Sequence, residues 1–239
     1  MHRRGVSRLL AAILLFTPLV SHAESHFEAA ERLLQAGQET EARRALTLEI
    51  GTRPGNLEAR YNLAVLLERI GHDDKAALLY RENIKRGKHL PSMINLSAWL
   101  RRNRQGKEAE ELLLKASRIF RSEAPPWYLL AEMAEQKNEL EQADRLYRKA
   151  IKADRKNGFA HLRYAGFLNR SGHALGAQSH ANQAIARLPS CGSCLHIAAD
   201  IFHSAGKEHR ALALWQKSIA IHPDAELRNK IMQAQQAMH

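Results

Sequence analysis

The chain has 239 residues, of which 45% are hydrophobic, 26% charged and only 6% aromatic. This composition excludes a disordered chain, and the few aromatics favour close-packed helices over a sheet. The net charge of +11 is scattered, with no run of five like charges, so it indicates a basic surface and gives no reason to expect a nucleic-acid partner.

The first 23 residues have the pattern of a secretory signal peptide. A basic start with three arginines precedes an apolar run at positions 9–20, and small residues end the segment at Ala23. The run contains Pro18 and is too short for a spanning helix. We therefore expect export, most readily to a bacterial periplasm, with cleavage after Ala23. Membrane association would then require an uncut leader.

Small residues recur at a nearly constant interval from residue 24 onward. They form two series that both step by 34, 33, 34, 34 and 34 residues. The series are Ala30, Ala64, Ser97, Ala131, Ala165 and Ala199, and Ala42, Ala76, Ala109, Ala143, Ala177 and Ala211. Small residues at fixed positions let two helices cross closely, so the interval predicts a stack of helical hairpins.

Turn signals have the same interval. Where first helices must end, the chain has Gly37, Gly71, Gly172 and Gly206, with Asn103 to Gly106 and Asn138 in the third and fourth units. Second helices are followed by Pro54, Pro189 and Pro223. These signals place six units at 24–56, 57–89, 90–123, 124–157, 158–191 and 192–225. The remaining stretch, 226–239, is amphipathic through Leu227, Ile231, Ala234 and Met238 and predicts a helix that caps the stack.

Two units carry a known repeat pattern most fully. It runs through Tyr61-Asn62-Leu63-Ala64, Gly71 and Ala76 in the second unit, and through Trp127, Leu130, Ala131, Ala143, Tyr147 and Ala150 in the fourth. The pattern resembles the tetratricopeptide repeat, and the resemblance covers essentially all of the chain after the leader. It implies an all-α, right-handed superhelical solenoid of about six repeats plus a C-terminal capping helix. It also implies a non-catalytic protein that holds a partner segment in the concave groove lined by first helices.

The resemblance and the helical phase together select the groove residues. In the family, an Asn one place before the recurrent Leu often bonds the backbone of a bound peptide, and Asn62 and Asn95 occupy that place. The predicted groove residues are Tyr61, Asn62, Val65, Asn95, Arg102, Tyr128, Arg163, Arg170, His196, Asp200 and His203. Guanidinium groups suit carboxylates, so the three arginines favour an acidic partner segment. Alternatively, they are ordinary solvated helix residues.

Cys191 and Cys194 are the only cysteines. In an exported chain the pair favours a local disulfide or inert thiols. A redox role is an alternative, because a helix N-terminus lowers a thiol pKa, although no strand precedes the pair as in thioredoxins. Covalent haem attachment is excluded because Leu195, not His, follows Cys194.

A metal site is a further alternative. His196, Asp200 and His203 are spaced for one helix face, so two imidazoles and a carboxylate could bind zinc or copper. No phosphate-binding glycine loop, zinc-protease His pair or nucleophile elbow occurs, and the sequence predicts neither an enzyme nor a cofactor. The favoured hypothesis is an adaptor of the cell envelope. The alternatives are a thiol-redox or metal-handling protein and a binder of acidic polysaccharide or anionic lipid.

Overall fold

The computed structural model describes residues 24–236, and within this range every regular element is an α-helix. The predicted leader 1–23 and the last three residues, with Met238, lie outside the described residues. The helices are α1 (His26–Gln35), α2 (Glu39–Thr52), α3 (Leu57–Arg69), α4 (Asp73–Arg86), α5 (Leu90–Arg102), α6 (Gly106–Ile119), α7 (Pro125–Gln136), α8 (Leu140–Ala153), α9 (Gly158–Arg170), α10 (Ala174–Arg187), α11 (Gly192–Ser204), α12 (Glu208–Ile221) and α13 (Ala225–Gln236).

Most first helices begin with a side-chain cap. The Ser25 hydroxyl accepts the Glu28 N–H, and the Glu28 carboxylate accepts the Ser25 N–H at 2.8 Å, which completes a capping box. Asn56 and Asn157 cap α3 and α9 in the same way through their side-chain oxygens. Because each cap satisfies a backbone N–H that lacks a partner within its helix, it fixes where the unit begins.

Each hairpin turns through one residue in the left-handed backbone region. Gly37, Gly71, Gly172 and Gly206 have φ between 68° and 79°. In the third and fourth units Arg104 (φ 60°) and Asn138 (φ 61°) take this conformation. Gly106, which the sequence suggested as part of the third turn, is instead the first residue of α6.

The core lies where neighbouring helices cross. Every member of the two small-residue series is at most 1% exposed, and large side chains fill the space beside them. On the second helices these fillers are Leu46, Tyr80, Leu113, Tyr147 and Trp215, all buried. The buried side chains form two main groups along the stack, and both include residues of α7. The predicted superhelical solenoid of helical hairpins is therefore confirmed.

The last helix closes the stack. Leu227 and Ile231 of α13 are buried in the core group that contains Trp215, and the Lys230 ammonium lies over the Trp215 ring at 4.7 Å. The outer face of α13 is exposed and polar. Among the described helices, none has the length and apolarity that crossing a bilayer requires.

Candidate functional site

The first helices of successive units lie side by side and line one face of the solenoid, which we call the concave groove. A cavity of about 690 Å³ opens there between α7, α9 and α11. Its lining combines charged and apolar side chains: Arg101, Glu132, Glu135, Gln136, Tyr147, Leu162, Arg163, Gly166, Arg170 and Ile197. A concave site with a few convergent polar groups on an apolar floor is the usual form of a binding pocket.

The three arginines predicted for the groove all have carboxylate partners within the chain. Arg102 lies 3.1 Å from Glu68. Arg163 lies 2.9 Å from Glu132, which also lies 3.5 Å from Arg101. The Arg170 side chain donates to Glu135 at 2.7 Å. An acidic partner would therefore have to share or displace an existing carboxylate, which weakens the argument for an acidic segment.

Two of these ion pairs belong to a repeated arrangement of three side chains. The Tyr80 hydroxyl donates to Glu68 at 2.7 Å, and the Tyr147 hydroxyl donates to Glu135 at 3.2 Å. Each carboxylate then meets an arginine of the next unit. We call these sets groove triads: an aromatic on the second helix, a carboxylate on the first, and a cation one unit further on.

The third groove triad is formed with the capping helix. The Trp215 indole N–H donates to Asp200 at 2.9 Å, and the Lys230 ammonium donates to the same oxygen at 2.6 Å. The triads tie three of the second helices, α4, α8 and α12, to their own first helices and to the element that follows. They hold charged groups in fixed positions along the groove, which lowers the ordering cost when a partner binds.

Burial and the neighbouring carboxylates shape the protonation of the triads. Burial raises the pKa of Tyr147 well above its usual range, and Glu135 and Glu132 raise it further. The hydrogen bond to Glu135 raises the pKa of Arg170. Tyr147 therefore remains a neutral donor and Arg170 a cation at any physiological pH, so this part of the groove keeps its charges.

The predicted N-terminal groove residues form a second cluster. The Asn95 amide donates to the Tyr80 hydroxyl at 3.0 Å and lies 3.5 Å from the Tyr61 hydroxyl. Half-buried Asn62 makes no side-chain hydrogen bond within residues 24–236. Val65 is half-buried against the core group that contains Tyr80. Asn62 thus retains its amide for a partner, whereas Asn95 already uses its donor internally.

The predicted groove residues nearer the C-terminus do not share one set of contacts. Tyr128 is half-buried, and burial raises its pKa. His196 lies 3.6 Å from Asp200, but His203 contacts Glu208 at 2.8 Å. Within the described part of the chain no group of three His, Cys, Asp or Glu side chains is arranged to hold a metal ion. The spacing that suggested zinc or copper therefore does not produce a converging set of ligands here.

The structure joins Cys191 and Cys194 in a disulfide at the start of α11. Cys191 is the N-cap, and its sulfur accepts the Cys194 N–H at 3.3 Å. Cys194 is buried and Cys191 half-buried. The bridge lies at the junction of the fifth and sixth units, and neither cysteine lines the groove cavity.

Sequence reasoning missed several groove residues. Glu68 and Glu135 were not selected, although each precedes its arginine by about one repeat, at spacings of 34 and 35 residues. Gly166 and Ile197 line the cavity, and Ile197 is 47% exposed. A Cβ at position 166 would lie 3.3 Å from the guanidinium of Arg170. Gly166 therefore keeps the middle of the groove open.

A different cavity, of about 750 Å³, opens between α8, α9 and α10, and is lined in part by Arg148, Tyr164 and His180. Beside it the His161 and His180 Nδ1 atoms lie 2.9 Å apart. His161 Nε2 lies 3.1 Å from the Arg155 carbonyl oxygen. Burial lowers the pKa of both histidines. Because the Arg155 carbonyl needs a donor, His161 is assigned a proton on Nε2, and His180 then donates to its Nδ1.

Solved structures of repeat proteins resemble this chain. A chain of the APC/C hetero-tetramer Cut9-Hcn1 aligns with a TM-score of 0.70 and 17% identity over 90% of this chain and 43% of its own length. A tetratricopeptide repeat protein of Parabacteroides merdae gives 0.61 and 20% identity over 89% and 86% of the two chains. PilF of Pseudomonas aeruginosa gives 0.65 and 16% identity over 87% and 95%.

This chain thus spans less than half of the matched Cut9-Hcn1 chain. No protein-family model matches the sequence, and no curated protein matches it. At these identities the likeness concerns the fold alone. The assignment of the fold also rests on the chain itself, because the 34-residue interval, the buried alanines and the paired helices all agree with it. By these features, the chain has the fold of tetratricopeptide-repeat proteins.

Proposed function

We propose that this chain is a non-catalytic adaptor of the cell envelope that holds a segment of a protein partner in its concave groove. The observation that carries the proposal is the cavity of about 690 Å³ between α7, α9 and α11. Its charged groups are already ordered by ion pairs, while Gly166 and the exposed side chain of Ile197 provide an open apolar contact. A preorganised groove of this kind suits an extended or helical segment.

The lining indicates which segment fits. Three arginines and two glutamates give the cavity a small positive excess, so a strongly acidic segment is not required. Ile197 and Leu162 favour an apolar side chain at the centre. An acidic group of the partner would be accommodated best beside Arg163, which is half exposed. Export and a periplasmic location rest on the leader-like residues 1–23 and belong to the proposal.

A groove substitution with a matched control tests the proposal. Gly166→Leu places a side chain in the cavity beside the Arg170 guanidinium, which a Cβ at this position would approach to 3.3 Å, and replacing a helical glycine favours the helix by up to about 1 kcal/mol. Gly51→Leu makes the same change in α2, where a new side chain meets nothing within 4 Å. Partners would be crosslinked in the native compartment and identified by mass spectrometry.

We expect a discrete partner with the wild type and with Gly51→Leu, and its loss with Gly166→Leu. Equal capture by all three proteins would contradict the groove assignment. Charge reversal of Arg102, Arg163 and Arg170 is a poorer test, because it places carboxylates beside Glu68, Glu132 and Glu135 and disturbs the groove itself.

A further inference from the structure

The turns that join consecutive units lie along one edge of the solenoid. Contacts between the helix ends beside these turns show this: the Asn83 amide near the end of α4 donates to the Leu57 carbonyl at the start of α3. Likewise His89 lies 3.1 Å from Glu58. The Lys149 ammonium of α8 lies over the Trp127 ring of α7 at 5.1 Å. Each end of a second helix therefore meets the beginnings of first helices at this edge.

The middle of this edge is basic, and we call the cations there the basic edge. In the windows 82–89, 115–124, 149–157 and 185–191 there are eleven Lys and Arg side chains and three carboxylates, whereas the first turn of the edge, 49–58, has one cation and two carboxylates. The cations are Lys85, Arg86, Lys88, Lys115, Arg118, Arg121, Lys149, Lys152, Arg155, Lys156 and Arg187, all exposed. The opposite edge, at 69–75, 102–111, 136–142 and 170–176, has seven cations and seven carboxylates.

Helix dipoles explain part of this asymmetry. Cations near the end of a second helix and carboxylates near its start are both favourable. The same rule favours carboxylates at the starts of first helices, which lie on the basic edge. Yet α5, α7 and α9 have no acidic residue in their first turns. These three helices thus lack the carboxylates that the dipole would favour at their starts.

An exposed aromatic lies among these cations. Phe159 is in the first turn of α9 and is 46% exposed, next in the chain to the turn that holds Arg155 and Lys156. Lys152, Arg155 and Lys156 have no ion-pair partner within residues 24–236. Phe159 is thus an exposed apolar side chain close in the chain to these unpaired cations. This combination suits an extended anionic surface with an apolar interior.

We propose that the basic edge binds the anionic headgroups of a lipid bilayer, with Phe159 entering the interface. This route to a membrane uses the folded repeats and does not require the leader. It leaves the concave groove open, because the groove cavity is lined by other residues. The adaptor could then hold its partner while resting on a membrane.

The test measures binding of the full chain to vesicles of phosphatidylcholine with and without phosphatidylglycerol, by co-sedimentation. One variant carries Lys152→Glu, Arg155→Glu and Lys156→Glu. The matched control carries Lys75→Glu, Arg104→Glu and Lys107→Glu, three exposed cations of the opposite edge. Both variants change the net charge equally and both retain the leader, so the comparison isolates the basic edge.

Each cation near an anionic bilayer increases partitioning by about fivefold, so the basic-edge variant should lose at least about 100-fold. The control should lose less than about threefold. Binding of the wild type should weaken as salt is raised from about 0.1 M to about 1 M, because the Debye length shrinks from about 10 Å to about 3 Å. Phe159→Ser should weaken the binding that remains in high salt.

Two outcomes would overturn the proposal. Equal losses in both triple variants would mean that net charge alone drives binding. Equal binding to vesicles with and without phosphatidylglycerol would mean that the edge does not recognise anionic lipid, and would leave soluble polyanions as ligands of this edge. Circular dichroism of each variant shows whether the helices remain, so a folding defect cannot imitate a positive result.

Discussion

At the scale of single residues, two of the six hairpin turns in the described chain lack the glycine that the other four have in the left-handed backbone region. Four turns use glycine in the left-handed region, whereas Arg104 and Asn138 adopt it at φ near 60°. This conformation is unfavourable for a residue with a Cβ, although Asn tolerates it better than most. The exposed Arg104 side chain makes no ion pair within residues 24–236, so nothing there offsets the cost.

Arg104→Gly should therefore stabilise the protein. We expect a gain of about 1 kcal/mol in the free energy of unfolding, because the strain in the turn is removed. Asn138→Gly is the matched substitution and should give a smaller gain. Urea denaturation at neutral pH measures both. A loss of stability in Arg104→Gly would show that its side chain makes a contact that outweighs the backbone strain.

The sequence predicted a shared face for three arginines but not their ion pairs. Helical phase puts Arg102, Arg163 and Arg170 on one face, because the phase of a helix is set by its buried side chains. Arg163 and Arg170 line the cavity, and Arg102 pairs with Glu68. The partners of the three arginines could not be derived in the same way, because an ion pair between units depends on how one hairpin is rotated against the next. The spacing of about one repeat between Glu68 and Arg102 was the available signal.

At the scale of helices, the groove triads connect the second, fourth and sixth hairpins to the element that follows each of them. The Tyr147 hydroxyl of α8 donates to Glu135 of α7, which also accepts from Arg170 of α9. Arg170 is mostly exposed, so its ion pair contributes little by itself. The hydroxyl lies deeper, and its hydrogen bond contributes more.

Tyr147→Phe tests this contribution. Removing the hydroxyl should cost about 1 kcal/mol in the free energy of unfolding, since a half-buried carboxylate loses a donor. Tyr128→Phe is the control, because the Tyr128 hydroxyl makes no hydrogen bond within residues 24–236. Its cost should be near zero. Equal effects in the two variants would show that the triad does not stabilise the hairpin.

The contact between α9 and α10 predicts a dependence on pH. Burial lowers the pKa of His161 and His180 below the ordinary value of 6.5. Below that pH the unfolded chain binds more protons than the folded chain, so stability is lost as the pH falls from about 6.5. A doubly protonated pair at 2.9 Å would also place two N–H groups and two charges against each other.

Urea denaturation at pH 7.5 and pH 5.0 measures this loss, with a double variant His161→Gln, His180→Gln for comparison. The wild type should lose about 1 kcal/mol more than the double variant between the two pH values, since one pKa unit corresponds to about 1.4 kcal/mol. The same loss in both proteins would assign the pH dependence to other groups.

At the scale of the whole molecule, the stack depends on closure of its C-terminal end. Each repeat buries its apolar face only against neighbours, so the last unit needs a cap. The amphipathic pattern of Leu227, Ile231 and Ala234 predicted this helix from sequence. The salt bridge between Lys230 and Asp200 could not be predicted, because the angle at which α13 crosses α11 and α12 is a tertiary property.

Ile231→Ala should weaken the cap. The side chain is 8% exposed in the core group of Trp215, and its truncation should cost about 2 kcal/mol, the low end of the usual range because it lies in the last helix. Met232→Ala, next in the chain but 48% exposed, should cost less than about 0.5 kcal/mol. Denaturation of both variants gives the comparison, and equal costs would contradict the capping role.

For the whole molecule, the sequence predicted the fold but not the surfaces that the stacked units form. The interval of about 34 residues was sufficient for the fold, because a regular stack needs only a buried small residue at each helix crossing. The cavity beside Gly166 and the basic edge follow from how units stack, and only the stacked arrangement brings their residues together.

Site-specific photo-crosslinking in the native compartment shows directly whether a partner segment lies in the concave groove. A photoreactive residue would replace Ile197, which lies in the groove, or Leu78 on α4, which is 66% exposed but does not line the groove cavity. We expect one protein partner to be captured from position 197 and none from position 78. Capture of the same partner from position 78, with none from 197, would show that it binds outside the groove.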